Sequence, residues 1–141
     1  MSDMLIRPYE GIGPIRFGMQ RAEVRAALGG PFREFKKTAN SVTPTDAFPT
    51  LGVHVYYKLP GSCEAVEVAS PAQALLFGRE LVGSPFQLIY DWLRELDVDA
   101  KLDDTGLTSL RFGVGIYVPT IKNDLGVPVE AVIVFERGYY P

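Results

Sequence analysis

The chain has 141 residues, 47% of them apolar and 22% charged; this is the size and composition of one domain, able to bury about two-thirds of its unfolded surface, and it leaves no long disordered segment. Fourteen basic residues against seventeen acidic ones give a formal charge of −3, and the basic residues are scattered apart from Lys36-Lys37, which excludes the basic stripe of a nucleic-acid binder. The single Cys63 excludes an intramolecular disulfide and any zinc site with more than one thiolate.

From the N-terminus, residues 5–8 and 15–17 read as short extended pieces around a turn rich in glycine and proline, Gly11-Ile12-Gly13-Pro14. Residues 20–28 follow with Val24, Ala27 and Leu28 at helical spacing, Arg21, Glu23 and Arg25 on the other side, and Gly29-Gly30-Pro31 as the stop. Segments 32–36, 53–57, 65–69 and 75–77 are rich in β-formers and are read as strands, with Leu59-Pro60-Gly61-Ser62 as a hairpin connection. A second helix begins at Ser84, a good N-cap, with Pro85 at the first helical position and Gln87 completing a capping box. Its Leu88, Ile89, Trp92, Leu93 and Leu96 form one face. Asp103-Asp104-Thr105-Gly106 is a turn, and 110–118 and 129–135 are the last strands. The connection between them, carrying Lys122, Asn123, Asp124 and Gly126, is long and is a natural place for function.

The order of these elements repeats. Gly13, Gly18, Val24 and Leu28 return 65 residues later as Gly78, Gly83, Ile89 and Leu93; Gly52-Val53-His54-Val55-Tyr56-Tyr57 returns as Gly113-Val114-Gly115-Ile116-Tyr117-Val118; and Glu64-Ala65-Val66-Glu67-Val68 returns as Glu130-Ala131-Val132-Ile133-Val134. The expectation is an α+β fold: one domain over residues 1–141, made as a pseudo-twofold tandem repeat of helix plus antiparallel strands (about 5–69 and 70–137), with one curved sheet carrying helices on one face. Strand alternation then assigns the faces. Val53, Val55, Val66, Val68, Val114, Ile116, Val132 and Val134 belong under the helices, whereas His54, Tyr56, Glu67, Tyr117, Ile133 and Phe135 lie on the opposite, open face. Amphipathic aromatics with few charges match the composition of interface cores, so these six residues are the candidate protein-binding set. The terminal Arg137-Gly138-Tyr139-Tyr140-Pro141 either packs back on the domain or presents two tyrosines to a partner.

No constellation points to catalysis. Cys63 with His54 as its base lacks a third group, and the neighbouring Glu64 would raise the thiol pKa. Neither Asp103-Asp104 nor Glu64 with Glu67 has the spacing of an acid–base pair or a cation site, and the turn at Gly11 lacks the lysine and frame of a phosphate loop. No cofactor and no metal are expected.

The pattern Ile15-x-Phe17-Gly18-Met19-x-x-x-Glu23-Val24-x-x-x-Leu28-Gly29-x-Pro31 resembles the helix entry of two related groups: the small lipoproteins of the outer-membrane barrel-assembly machinery and the β-lactamase inhibitory proteins. The second resemblance implies paired helix-plus-strands units and a concave sheet face that grips a protein. The lipoproteins carry a lipid-bearing cysteine near their start and the inhibitors rely on disulfides, whereas Cys63 stands alone in mid-chain.

The expected function is therefore a non-enzymatic protein-binding module, an inhibitor or immunity-type protein acting through the open face of its sheet. One alternative is a small-molecule-binding or enzymatic domain with an apolar pocket near His54 and Glu67; another is a self-associating structural protein, a homo-oligomer. With neither a membrane span nor a basic start followed by an apolar signal core, the expected location is the cytoplasm, away from membranes.

Overall fold

The structure, a computed structural model, describes residues 3–36, 43–119 and 126–140. In chain order the elements are β1 (Asp3–Arg7), β2 (Gly11–Ile12), β3 (Ile15–Arg16), α1 (Arg21–Leu28), β4 (Arg33–Phe35), β5 (Thr45–Phe48), β6 (Val53–Lys58), β7 (Ser62–Ala69), β8 (Gln73–Leu76), β9 (Arg79–Glu80), α2 (Phe86–Leu96), β10 (Lys101–Asp103), β11 (Gly106–Ser109), β12 (Val114–Tyr117) and β13 (Ala131–Phe135). They build an eight-stranded sheet in the order β10-β11-β12-β13-β7-β6-β5-β4 and a five-stranded sheet in the order β3-β2-β1-β8-β9. All pairs in the larger sheet are antiparallel. In the smaller one β1 and β8 run parallel.

This corrects the expected fold class. The chain is mostly β, 44% strand and 15% helix, and has two large sheets rather than one helix-covered sheet built from helix-plus-strand repeats. The physical reason lies in the short extended pieces near 5–17 and 75–77, which form a sheet of their own. Burial alternates along β1 and β8, so that Met4, Ile6, Ala74 and Leu76 point inward while Leu5 is 60% exposed. Such a ribbon can bury its inner side only by joining a sheet, and β1 and β8 do so by pairing with each other.

The inner side chains of the five-stranded sheet, with Val24 of α1 and Phe86, Ile89 and Leu93 of α2, form one core with Val53, Val55, Val66, Val68, Val114, Ile116, Val132 and Val134 of the larger sheet. Strand parity thus placed the eight aliphatic residues on the side where they lie. What covers them is a sheet flanked by two short helices.

The helix ends follow local chemistry with one exception. The Gln20 backbone N–H donates to the Glu23 carboxylate (2.9 Å), and Gly29, at φ +67°, closes the last turn through its N–H to the Arg25 carbonyl. At α2 the expected Ser84 cap is not used: Ser84 Oγ donates to the Glu80 carbonyl (2.9 Å), and the helix begins at Phe86. Ser84 instead serves the preceding turn, where its N–H bonds to the Leu81 carbonyl.

The expected strand 110–118 is also corrected. Residues 110–113 are a turn between β11 and β12. Residues 120–125, within the connection singled out for function, lie outside the described residues, and so does Lys37 of the basic pair.

Candidate functional site

With one face of the eight-stranded sheet sealed in the core, the site is sought on the other, referred to below as the far face. Cross-strand partners align Lys101, Thr108, Gly115, Ile133, Glu67, His54, Ala47 and Arg33 in one row across all eight strands. A neighbouring row holds Asp103, Gly106, Tyr117, Ala131 and Ala69. On the other flank Phe135 faces Ala65, which faces Tyr56. The six candidate residues thus share one face, as the alternation requires.

They are not equally accessible. Tyr56 is only 8% exposed and Phe135 only 1%, because the C-terminal segment folds over them. Tyr139 stacks on Phe135 with centroids 5.5 Å apart, Tyr140 meets the same ring edge-on at 4.9 Å, and Tyr9 reaches it edge-on at 6.1 Å. Tyr9 is positioned by a left-handed backbone (φ +63°), a hydroxyl bond to the Leu110 carbonyl, and the Arg137 guanidinium 4.2 Å from its ring centroid. The expectation of a bare aromatic face is therefore corrected for Tyr56 and Phe135. Each is a ring with much apolar area and a neighbour able to cover it, and burying it is worth more than leaving it wet.

The centre of the face stays reachable. His54, Glu67 and Ile133 are half-buried, and Tyr117 is 41% exposed. Tyr56 Oη donates to Glu67 Oε1 (2.5 Å), and His54 meets Phe35 of the edge strand β4 edge-on at 5.5 Å. Burial, reinforced by the Glu67 carboxylate that it bonds, pushes the Tyr56 phenol well above its ordinary value, so it stays a donor at every physiological pH. Among the described residues, Glu67 has no ion-pair partner.

Beside Ile133 the floor drops. Gly106, Thr108, Gly115, Tyr117, Ile133 and Tyr140 border an open depression of about 170 Å³, and Lys101, Asp103, Thr108, Leu110 and Tyr140 border another of about 320 Å³. Two glycines line the first one. A Cβ on Gly106 (φ +148°) would sit 1.8 Å from the Ile116 carbonyl oxygen, and one on Gly115 would sit 2.8 Å from Ile133 Cγ2. Neither position accepts a side chain without movement.

Thr108 and Lys101 were missed as site residues because the pieces flanking the Asp103–Gly106 turn were not read as strands. The signal was present: the Asp-Asp-Thr-Gly turn followed by the alternating Leu107-Thr108-Ser109 marks a hairpin, with Asp103 Oδ1 accepting from the Thr105 N–H (2.8 Å).

Cys63 and His54 are not a catalytic pair. A bulge opposite Tyr56 and Tyr57 turns Cys63 into the main core, fully buried, while His54 faces the far side. Burial pushes the Cys63 thiol up to about 12, which leaves no thiolate to attack with. No group of three or more His, Cys, Asp or Glu side chains suited to a metal ion occurs among the described residues, and none of their helices is long and apolar enough to cross a membrane.

A second polar cluster, wholly unanticipated, lies on the core side. Asp46 of β5 is completely buried and accepts from Arg21 Nη1 (3.0 Å), Arg25 Nε (2.9 Å), Arg25 Nη2 (2.7 Å) and Tyr57 Oη (2.9 Å). Burial alone would raise the Asp46 carboxyl; the bonds from Arg25 and Tyr57 and the two guanidinium charges outweigh it and hold the group below the usual carboxylate range. All four carboxylate lone-pair sites are taken, so this cluster has nothing left to offer a ligand. It ties α1 to the sheet.

Comparison of the chain with protein-family models, with characterised proteins and with solved structures finds no match.

Proposed function

We propose that this chain is a non-enzymatic protein-binding module that acts through the far face of its eight-stranded sheet, in the manner of an inhibitor or immunity-type protein that occludes its partner. The observation that carries the reading is the contrast between the two faces. One packs into the core with the five-stranded sheet and the two helices, whereas the other offers Tyr117, Ile133, His54 and Glu67 around a floor of Gly106, Gly115 and Ala131. Large amphipathic side chains around a small-residue floor accept a protruding segment and desolvate it, which is how interface cores gain affinity. The small-molecule alternative has less behind it, since depressions of about 170 and 320 Å³ lie at or below the low end of ligand cavities, about 300 Å³, and both are open.

The test is affinity capture from native lysate with the wild type, a Thr108→Arg variant that plants a long cation in the middle of the row, and a Glu95→Lys variant on the exposed side of α2. The reading expects partners retained by wild type and Glu95→Lys and lost with Thr108→Arg. Recovery of the same partners by all three would remove the far face from consideration.

A further inference from the structure

Resting on the protein-binding reading above, we infer that the occupant of the far face is an extended segment of a partner protein carrying an Arg or Lys that pairs with Glu67, and a large apolar side chain, about three residues away, that fills the depression over Gly115.

The argument begins with Glu67. Its carboxylate is half-buried, between Ile133 on one neighbouring strand and His54 on the other. One oxygen accepts the Tyr56 hydroxyl, and none of the described cations forms an ion pair with it. A carboxylate partly withdrawn from water and given only a phenol has lost hydration without gaining a counter-charge, and a cation arriving from outside restores the balance. The contrast within the same molecule is instructive: the buried Asp46 has two guanidinium groups of its own. The surroundings of Glu67 also suit a cation's stem, since His54, Phe35 and Ile133 present rings and methyl groups to an aliphatic chain.

The second anchor follows from the row. Gly115 lies two strands from Glu67, through Ile133, and at about 4.8 Å per strand the separation is about 10 Å. A segment in the extended polyproline II conformation advances about 3.1 Å per residue with three residues per turn, so side chains three positions apart point the same way and span about 9 Å. The depression of about 170 Å³ over Gly115, walled by Tyr117, Ile133 and Tyr140, is the volume of one large apolar side chain. Shape and charge together therefore define a basic residue and a Leu, Met, Phe or Tyr about three residues apart.

The test is selection of random nine-residue peptides displayed on phage against the full chain, followed by titration of the synthesised consensus peptide. Enrichment of a basic residue two to four positions from a large apolar one is expected. Glu67→Gln keeps an acceptor for Tyr56 and should weaken the peptide about tenfold; exchanging the peptide's basic residue for Gln should cost a similar factor, and the two losses should not add in a double-mutant cycle. Peptides that are blocked by Thr108→Arg yet bind Glu67→Gln as tightly as wild type overturn this inference and leave the face as a binding surface. Selection that yields no peptide blocked by Thr108→Arg overturns both. Light scattering that finds a dimer dissociated by Glu67→Gln assigns the face to a second copy of the chain and likewise overturns the inference.

Discussion

Asp46 concentrates more charge chemistry than any other described residue of the core. Its folded-state pKa is depressed, so the stability it contributes is fully present above its ordinary value of about 3.8 and is lost as the pH falls towards the lowered value. Chemical denaturation at pH 7 and pH 3 should show that loss in the wild type and a much flatter profile in Asp46→Asn. Asp46→Ala should lose about 2–4 kcal/mol at pH 7, because two guanidinium groups and a phenol are left facing an empty site. The Arg21 and Arg25 side chains are 21% and 24% exposed; water reaching them keeps the cost at the lower end of what breaking a buried pair entails.

At the scale of the element, the C-terminal segment decides what the far face presents. Residues 136–140 follow β13 without a further strand, yet Tyr139 and Tyr140 return over Phe135, and Lys58 anchors the turn through Glu136 (2.5 Å). Phe135→Ala should destabilise the protein by about 3–4 kcal/mol, the usual range for a fully buried ring. Tyr139→Ala should cost about 1–2 kcal/mol, since that ring is only half-buried and loses one stacked partner. Its distinguishing effect is accessibility. Tyr56 should become reactive to nitration in Tyr139→Ala at a denaturant concentration where the wild type is protected.

At the scale of the whole molecule, the eight-stranded sheet ends on β4 and β10, each three residues long, exposed throughout and carrying charge: Arg33 and Glu34 on one, Lys101 and Asp103 on the other. Short charged edges resist the addition of further strands, because a neighbour would have to bury those groups. Replacing both Lys101 and Asp103 by Val should produce concentration-dependent self-association in light scattering where the wild type scatters as a constant mass. Equal behaviour of the two proteins would show that edge charge does not control assembly here.

Much of this was legible in the chain itself. The period of two in 53–57, 65–69, 114–118 and 131–135 determines which side chains share a face, because alternation is a property of any extended backbone. The spacing of Val24, Ala27 and Leu28 and the glycine stop mark α1 for the same local reason. Whether a face is open is not local. Tyr56 and Phe135 are covered by residues near both ends of the chain, Tyr9 and Tyr139. Asp46 stands between Thr45 and Ala47 with no motif, and its guanidinium partners lie 21 and 25 positions back along the chain. The five-stranded sheet needs β1 and β8 to pair across some seventy residues, which only the shared burial of Met4, Ile6, Ala74 and Leu76 brings about. Side-chain direction is set by neighbours in sequence, whereas exposure and charge pairing are set by whatever the folded chain brings alongside.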